Sequence, residues 1–199
     1  MPPKHLNLVE NSEEKKEKEI LPIAFRIMAS GDGQNLKKLN IEALNLIASA
    51  FGATAAERRN WTDEDWENYI AESPNIAGVN DAGDFVAMAG AKEEIPGTWR
   101  IHSVYVDRGY RFGGEDKKSR GELLLGDLIQ LVAEKGAQEI KLTVNTKQNT
   151  AVDLYKRLGF SILWTEKDSP SADTNFYEKH HMELDLSRVA RSGLALKAA

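Results

Sequence analysis

The chain has 199 residues, no cysteine, 4 histidines and a formal net charge of -5, from 26 Lys and Arg set against 31 Asp and Glu. Without Cys there are no disulfides, thiolate metal sites or cysteine nucleophile, which agrees with a cytoplasmic protein. The negative balance argues against nucleic acid as a general partner and suits a cationic amine, while no apolar run reaches the ~18 residues of a membrane helix. Residues 1–19 are a charge run, notably E-N-S-E-E-K-K-E-K-E, and read as a solvated, disordered extension or a frayed helix in place of a signal peptide.

The fold is expected to begin near Ile20. Leu21 to Ala29 reads as a first strand, and Leu36 to Phe51 as a first helix with Leu39, Ile41, Leu44, Ile47 and Ala48 apolar. Thr62 offers an N-cap to a short helix, Asp63 to Ala71, whose Asp63, Glu64 and Asp65 suit the positive end of the helix dipole. Asn75 to Val79 and Asp84 to Ala91 form a hairpin turning at Asn80-Asp81-Ala82-Gly83. Thr98 to Val106 is rich in β-branched and aromatic residues and apolar on both faces, so it belongs in the middle of a sheet.

That strand runs into a loop crowded with Gly and basic residues, D-R-G-Y-R-F-G-G-E-D-K-K-S-R-G, and then into a helix from about Arg120 to Lys135. Gly121, Leu124, Leu125, Leu128 and Val132 fall on one face of that helix, and Gly136 follows its end. A strand, a basic glycine loop and a helix N-terminus together cradle an anion, because unpaired N–H groups and the dipole both favour negative charge. Neither G-x-x-x-x-G-K-[ST] nor G-x-G-x-x-G occurs, so the nucleotide-hydrolase and dinucleotide fingerprints are both unmet.

A strand over Glu139 to Val144 is followed by N-T-A-V-D-L-Y-K-R-L-G-F, Asn149 to Phe160. Ala151, Leu154, Tyr155 and Leu158 share a helical face, Asp153, Lys156 and Arg157 point away, and Gly159 caps the end before Phe160 opens a strand. Tyr155 is the odd member of the stripe. A buried phenol needs a hydrogen-bond partner and can also supply a proton, although a satisfied core tyrosine has the same pattern. Phe176 to Leu186 alternates, with Phe176, Glu178, His180, Met182, Leu184 and Leu186 on one face, and residues 187–199 read as a tail. No internal repeat interrupts 20–186, so one domain is the simplest account.

The order strand, anion loop, helix, strand, Tyr-bearing helix, strand resembles the acetyl-CoA-dependent N-acetyltransferase superfamily known as GNAT. In that family a loop with R/Q-x-x-G-x-G/A holds the pyrophosphate of coenzyme A, and a later N-x-x-A-x-x-x-Y-x-x-x-G-F helix meets the pantetheine arm and the thiol. Asn149, Ala151, Tyr155, Gly159 and Phe160 fit the second pattern with slightly shifted spacing. The first pattern is altered: Arg111-Phe112-Gly113-Gly114 matches its opening, Glu115 and Asp116 intervene, and Ser119 and Gly121 stand where its small residues belong if Leu124-Leu125 is the family's Leu pair. Phe112 to Lys117 then reads as an insertion that lengthens the loop.

The resemblance implies an α/β, three-layer fold with a central, mostly antiparallel mixed sheet of about six to seven strands flanked by helices. It implies acetyl-CoA as cosubstrate, held by Arg111, Gly113, Gly114, Lys118, Ser119, Arg120, Gly121 and Asn149. Backbone N–H groups of Val104, Tyr105 and Val106 would polarise the thioester carbonyl, and Tyr155 would protonate the leaving thiolate. His102, two residues before Val104, is the candidate proton acceptor or water-ordering group, with a packed core histidine as the plain alternative. Glu67, Asp63 and Asp65 are candidates for recognising a cation, and Trp61 and Trp66 for lining the acceptor cleft, one of them as core. His180 and His181 point to opposite faces of a strand and do not grip one metal ion. Expected partners are acetyl-CoA and a small-molecule or protein amine, without nucleic acid or membrane and with a homodimer left open. The alternative is an acyl-CoA-binding or interaction protein of the same fold that has lost catalysis.

Overall fold

The computed structural model describes residues 20–46, 55–111, 118–170 and 176–187. The expected charged extension, the end of the first helix, the loop residues Gly113 and Gly114 and most of the tail lie outside the described residues. In chain order the elements are β1 (Ala24–Ile27), α1 (Gly33–Leu46), α2 (Ala55–Arg59), α3 (Asp63–Glu72), β2 (Asn75–Val79), β3 (Phe85–Ile95), β4 (Thr98–Val106), α4 (Arg120–Glu134), β5 (Glu139–Asn145), α5 (Asn149–Arg157), β6 (Ser161–Pro170) and β7 (Phe176–Asp185). The seven strands form one sheet in the order β1-β2-β3-β4-β5-β7-β6, antiparallel throughout except between β4 and β5.

Adjacent strand residues face opposite sides, and the two sides carry two cores. Ile76, Ala87, Ala89 and Ala91 pack with Leu124, Leu125, Leu128 and Val132 of α4 and with Val152 and Tyr155 of α5. Ala77, Phe85 and Met88 pack with Leu36 and Leu39 of α1 and with Trp66 and Ile70 of α3. The mixed three-layer α/β architecture is the expected one.

Several boundaries differ from the sequence reading. The first strand is shorter than Leu21 to Ala29, because β1 is an edge strand that pairs with β2 only from Ala24 to Ile27. α1 starts at Gly33, three residues early, with the Leu36 N–H bonded to the Asp32 carbonyl. β3 runs on to Ile95 and returns as β4 through Gly97, whose φ of 81° suits a residue without Cβ. The short α2 was not anticipated. In α5 the deepest residues are Val152 and Tyr155, with Ala151, Leu154 and Leu158 half-buried on either side. Phe160 is buried just ahead of β6, and Gly159 has a φ of 94°.

The α3 N-terminus follows its prediction closely. The Thr62 hydroxyl accepts from the Asp65 N–H at 3.1 Å, and the Asp65 carboxylate accepts from the Thr62 N–H at 2.7 Å, so each residue satisfies an otherwise free donor.

Candidate active site

Two features of β4 open the sheet. On one side it pairs in parallel with β5 only over Thr98, Arg100 and the residue between them, opposite Glu139 to Lys141; further on, the two strands separate while β5 stays paired with β7 as far as Asn145. On the other side, His102 to Tyr105 of β4 spans one residue more than Gly90 to Met88 of β3. That extra residue is a bulge, and it reverses which side chains face which layer. Trp99 and Ile101 belong to the α4 and α5 side, but so do Val104 and Val106, while Tyr105 faces α1 and α3. Ser103 sits at the bulge with a φ of 54°, the left-handed region that a non-glycine residue seldom adopts.

The gap lies at the carboxyl ends of two neighbouring parallel strands, where open α/β sheets bind ligands. α4 follows β4 and α5 follows β5, so both helices begin at this end of the sheet, and Tyr155 lies further along α5 in the core that α5 shares with α4. The Glu122 N–H reaches Ser119, and so does that of Leu123, whereas the N–H groups of Arg120 and Gly121 have no partner among the described residues. A Cβ on Gly121 would lie 3.1 Å from Leu154 of α5, so glycine there permits close approach of the two helices.

Tyr155 is 7% exposed and its ring stands edge-on to Phe160 at 6.0 Å. Burial pushes its hydroxyl up to about 12, so the phenol is protonated at any ordinary pH. His102 is held by α3: its Nδ1 lies 2.9 Å from the Tyr69 hydroxyl, which in turn lies 2.9 Å from the Ser103 hydroxyl at the bulge. A chain in which Ser103 donates to Tyr69 and Tyr69 donates to Nδ1 satisfies all three groups. Burial lowers His102 to about 4, helped by the positive charges of Arg58 and Lys92, so the imidazole is neutral at pH 7. Gly90 makes room for it, since a Cβ there would come within 2.5 Å of the imidazole Cε1.

The remaining candidates divide. Arg111 is exposed beside the gap, its Nε donating to the Val106 carbonyl at 2.9 Å, and Lys118 is exposed. Ser119 caps α4 in a reciprocal bond with Glu122, whose carboxylate also meets Arg157 at 2.9 Å. The Arg120 side chain is engaged elsewhere in the fold. The residue is buried, 9% exposed, and its guanidinium donates to the carbonyls of Leu21 and Ile23, tying the segment ahead of β1 to α4. Asn149 is the exposed first residue of α5, and Gln148 holds the cap position without a side-chain bond.

The acidic candidates also have other duties. Asp65 closes its cap, Asp63 pairs with Lys37 at 3.2 Å, and Glu67 accepts from the backbone of Gly31 and Gly33 at 2.9 Å, fixing the start of α1. Trp66 is the fully buried member of the tryptophan pair and Trp61 is half-buried. Among the described residues no cluster of three or more His, Asp and Glu stands ready for a metal. His180 meets Thr165, and His181 meets Glu166 and stacks on Trp164 at 3.8 Å.

Tyr69 was missed in the sequence, although it stands on an apolar stripe with Trp66 and Ile70 just as Tyr155 does on its own helix. Arg58 was missed too. Nothing in the sequence marked it, because α2 itself lacked a periodic signal.

The sequence model of the acetyltransferase (GNAT) family matches residues 41–160, and the chain belongs to that family. No curated protein matches the sequence. Among solved structures, the acetyltransferase of the GNAT family from Streptococcus pneumoniae superposes with a TM-score of 0.69 at 18% identity, covering 82% of this chain and 99% of that one. The spermidine N-acetyltransferase from Vibrio cholerae, solved with CoA and spermine, gives 0.66 at 12% identity over 84% and 98%. A GNAT superfamily phosphinothricin acetyltransferase from Sinorhizobium meliloti, solved with acetyl-CoA, gives 0.66 at 13% identity over 82% and 88%. At these identities the likeness is one of fold.

Proposed function

We propose that this chain moves an acetyl group from acetyl-CoA to a primary amine by direct attack within a ternary complex. The observation that carries the reading is the parting of β4 and β5 beside a bulge, at the end of the sheet where α4 begins with N–H groups that have no partner among the described residues. Relatives of this fold solved with acetyl-CoA or with CoA and spermine support it. Acetyl-CoA supplies a thioester whose acyl carbon is open to an amine and whose sulfur departs as a thiolate.

The N–H groups of Arg120 and Gly121, with the helix dipole behind them, suit a pyrophosphate. Arg111, Lys118 and Ser119 extend that cradle, with Asn149 at the start of the neighbouring helix; Gly113 and Gly114, the sequence candidates for the same role, lie outside the described residues. Of the three candidates, the backbone N–H groups of Val104 and Val106 are on the side of β4 that parts from β5 and polarise the carbonyl, while that of Tyr105 is on the β3 side. Tyr155 serves the leaving sulfur. A thiol has an ordinary pKa of about 8.5, so a phenol at about 12 acts best as a hydrogen-bond donor while charge builds on sulfur. His102 is assigned to positioning: neutral at pH 7 and bonded to Tyr69, it fixes the bulge and orders the water that takes the amine proton.

One observation favours the alternative of acyl-CoA binding without turnover. The Glu122 carboxylate sits 2.8 Å from the Ser119 N–H, where it competes with an anion, although Arg157 offsets its charge. A thiol-release assay with acetyl-CoA and a panel of amines separates the two readings. Tyr155→Phe keeps the packing and removes the hydroxyl, so acetyl-CoA affinity and melting temperature should hold while turnover falls by ~10²-fold or more. Unchanged turnover, with chemistry rate-limiting, would return Tyr155 to a packing role.

A further inference from the structure

The charged group against the aromatic wall that supports the bulge is a cation, Arg58, on which Glu57 acts as an opposing charge. Asp63, Asp65 and Glu67 are each engaged by α1 or by their own helix cap. The Arg58 guanidinium carbon lies 3.8 Å from the ring centroid of Trp61 and 5.2 Å from that of Tyr69, and the Tyr69 ring lies 5.6 Å from His102.

Nη1 of Arg58 is buried and has no hydrogen-bond partner among the described residues. The Trp61 face attracts the charge but offers the N–H no lone pair. A guanidinium N–H removed from water and left unpaired is costly, and the planar fork of arginine matches a carboxylate. Burial also lowers the Arg58 pKa, the mark of a desolvated cation.

We propose that Arg58 receives a carboxylate of the acceptor, so that the acceptor is a small amine carrying a carboxylate, its apolar part resting on Trp61 and Tyr69. The proposal rests on the acetyl-transfer reading and narrows its substrate class. One tyrosine ring separates the guanidinium from the bulge, so the amine and the carboxylate belong to a single small molecule. Arg58 is half-buried, which leaves part of its guanidinium open to the acceptor's carboxylate.

The test compares acids with their amides as acceptors: 4-aminobutyrate against 4-aminobutyramide, and L-leucine against L-leucinamide, with spermidine as the polycationic arm. Thiol release should favour at least one acid over its amide by about tenfold or more in kcat/KM. Arg58→Gln should bring that ratio within about twofold, and Arg58→Lys should retain part of it. Amides or spermidine matching the acids in the wild-type protein would overturn the proposal, as would a ratio that survives in Arg58→Gln. Calorimetric titration of the same compounds into the CoA-loaded protein reads the preference without turnover, and an absence of acid binding there also overturns it. Failure of acetyl-CoA and CoA to bind at all would instead defeat the acetyl-transfer reading.

Discussion

His102 carries a pH signature that separates a buried neutral imidazole from one that gains a proton at work. Its folded value of about 4 lies below its ordinary 6.5, so above pH 6.5 both states are neutral and it costs nothing. Between those values the unfolded chain takes up a proton that the fold refuses, and stability falls with pH by on the order of 3 kcal/mol before levelling off below about pH 4. His102→Gln should remove most of that slope in urea melts from pH 7 to 4, and a wild-type stability flat over that range would contradict the burial argument. Residue roles were unevenly legible in the sequence. Tyr155 stood out as a phenol on an apolar helical stripe, and the same rule applied to α3 would have found Tyr69. The fold-back of the Arg120 guanidinium onto the carbonyls of Leu21 and Ile23 was not legible, because a loop arginine has the same letters whichever way its side chain turns.

At the scale of elements, β4 is positioned by how tightly β3 lies beneath its bulge. Gly90→Ala would drive a Cβ against His102 and Asn75, so it should destabilise the fold by about 1–3 kcal/mol in denaturant titration. An unaffected midpoint would mean that His102 is free to swing aside. Elements with strong periodicity or caps were legible: α3 from Thr62 and its acidic first turn, α4 from its leucines, and the β2–β3 hairpin from Asn80 and Gly83. The bulge was hidden because Thr98 to Val106 is apolar on both faces, so a reversal of facing leaves no trace in the pattern. The limits of β1 were set by its edge pairing with β2, which apolar runs do not record.

On the scale of the whole molecule, the sheet holds together through β3 and β7 on its outer sides and parts in the middle, between β4 and β5. The order of elements was sufficient to anticipate this architecture; the surroundings of the bulge were not legible, since Tyr69 reaches Ser103, and Arg58 reaches Tyr69, only through tertiary packing. A ligand bound in that opening bridges both halves and adds its binding free energy to folding. At ~100 times its dissociation constant, acetyl-CoA should add about 2.7 kcal/mol, a rise in Tm of roughly 5–10 °C for a chain of this size. The direct measurement is a thermal melt of the full chain across an acetyl-CoA titration, read alongside calorimetric heat. A saturable rise of that size with matching heat is the predicted result, and an unmoved Tm with no heat at millimolar acetyl-CoA would contradict the account.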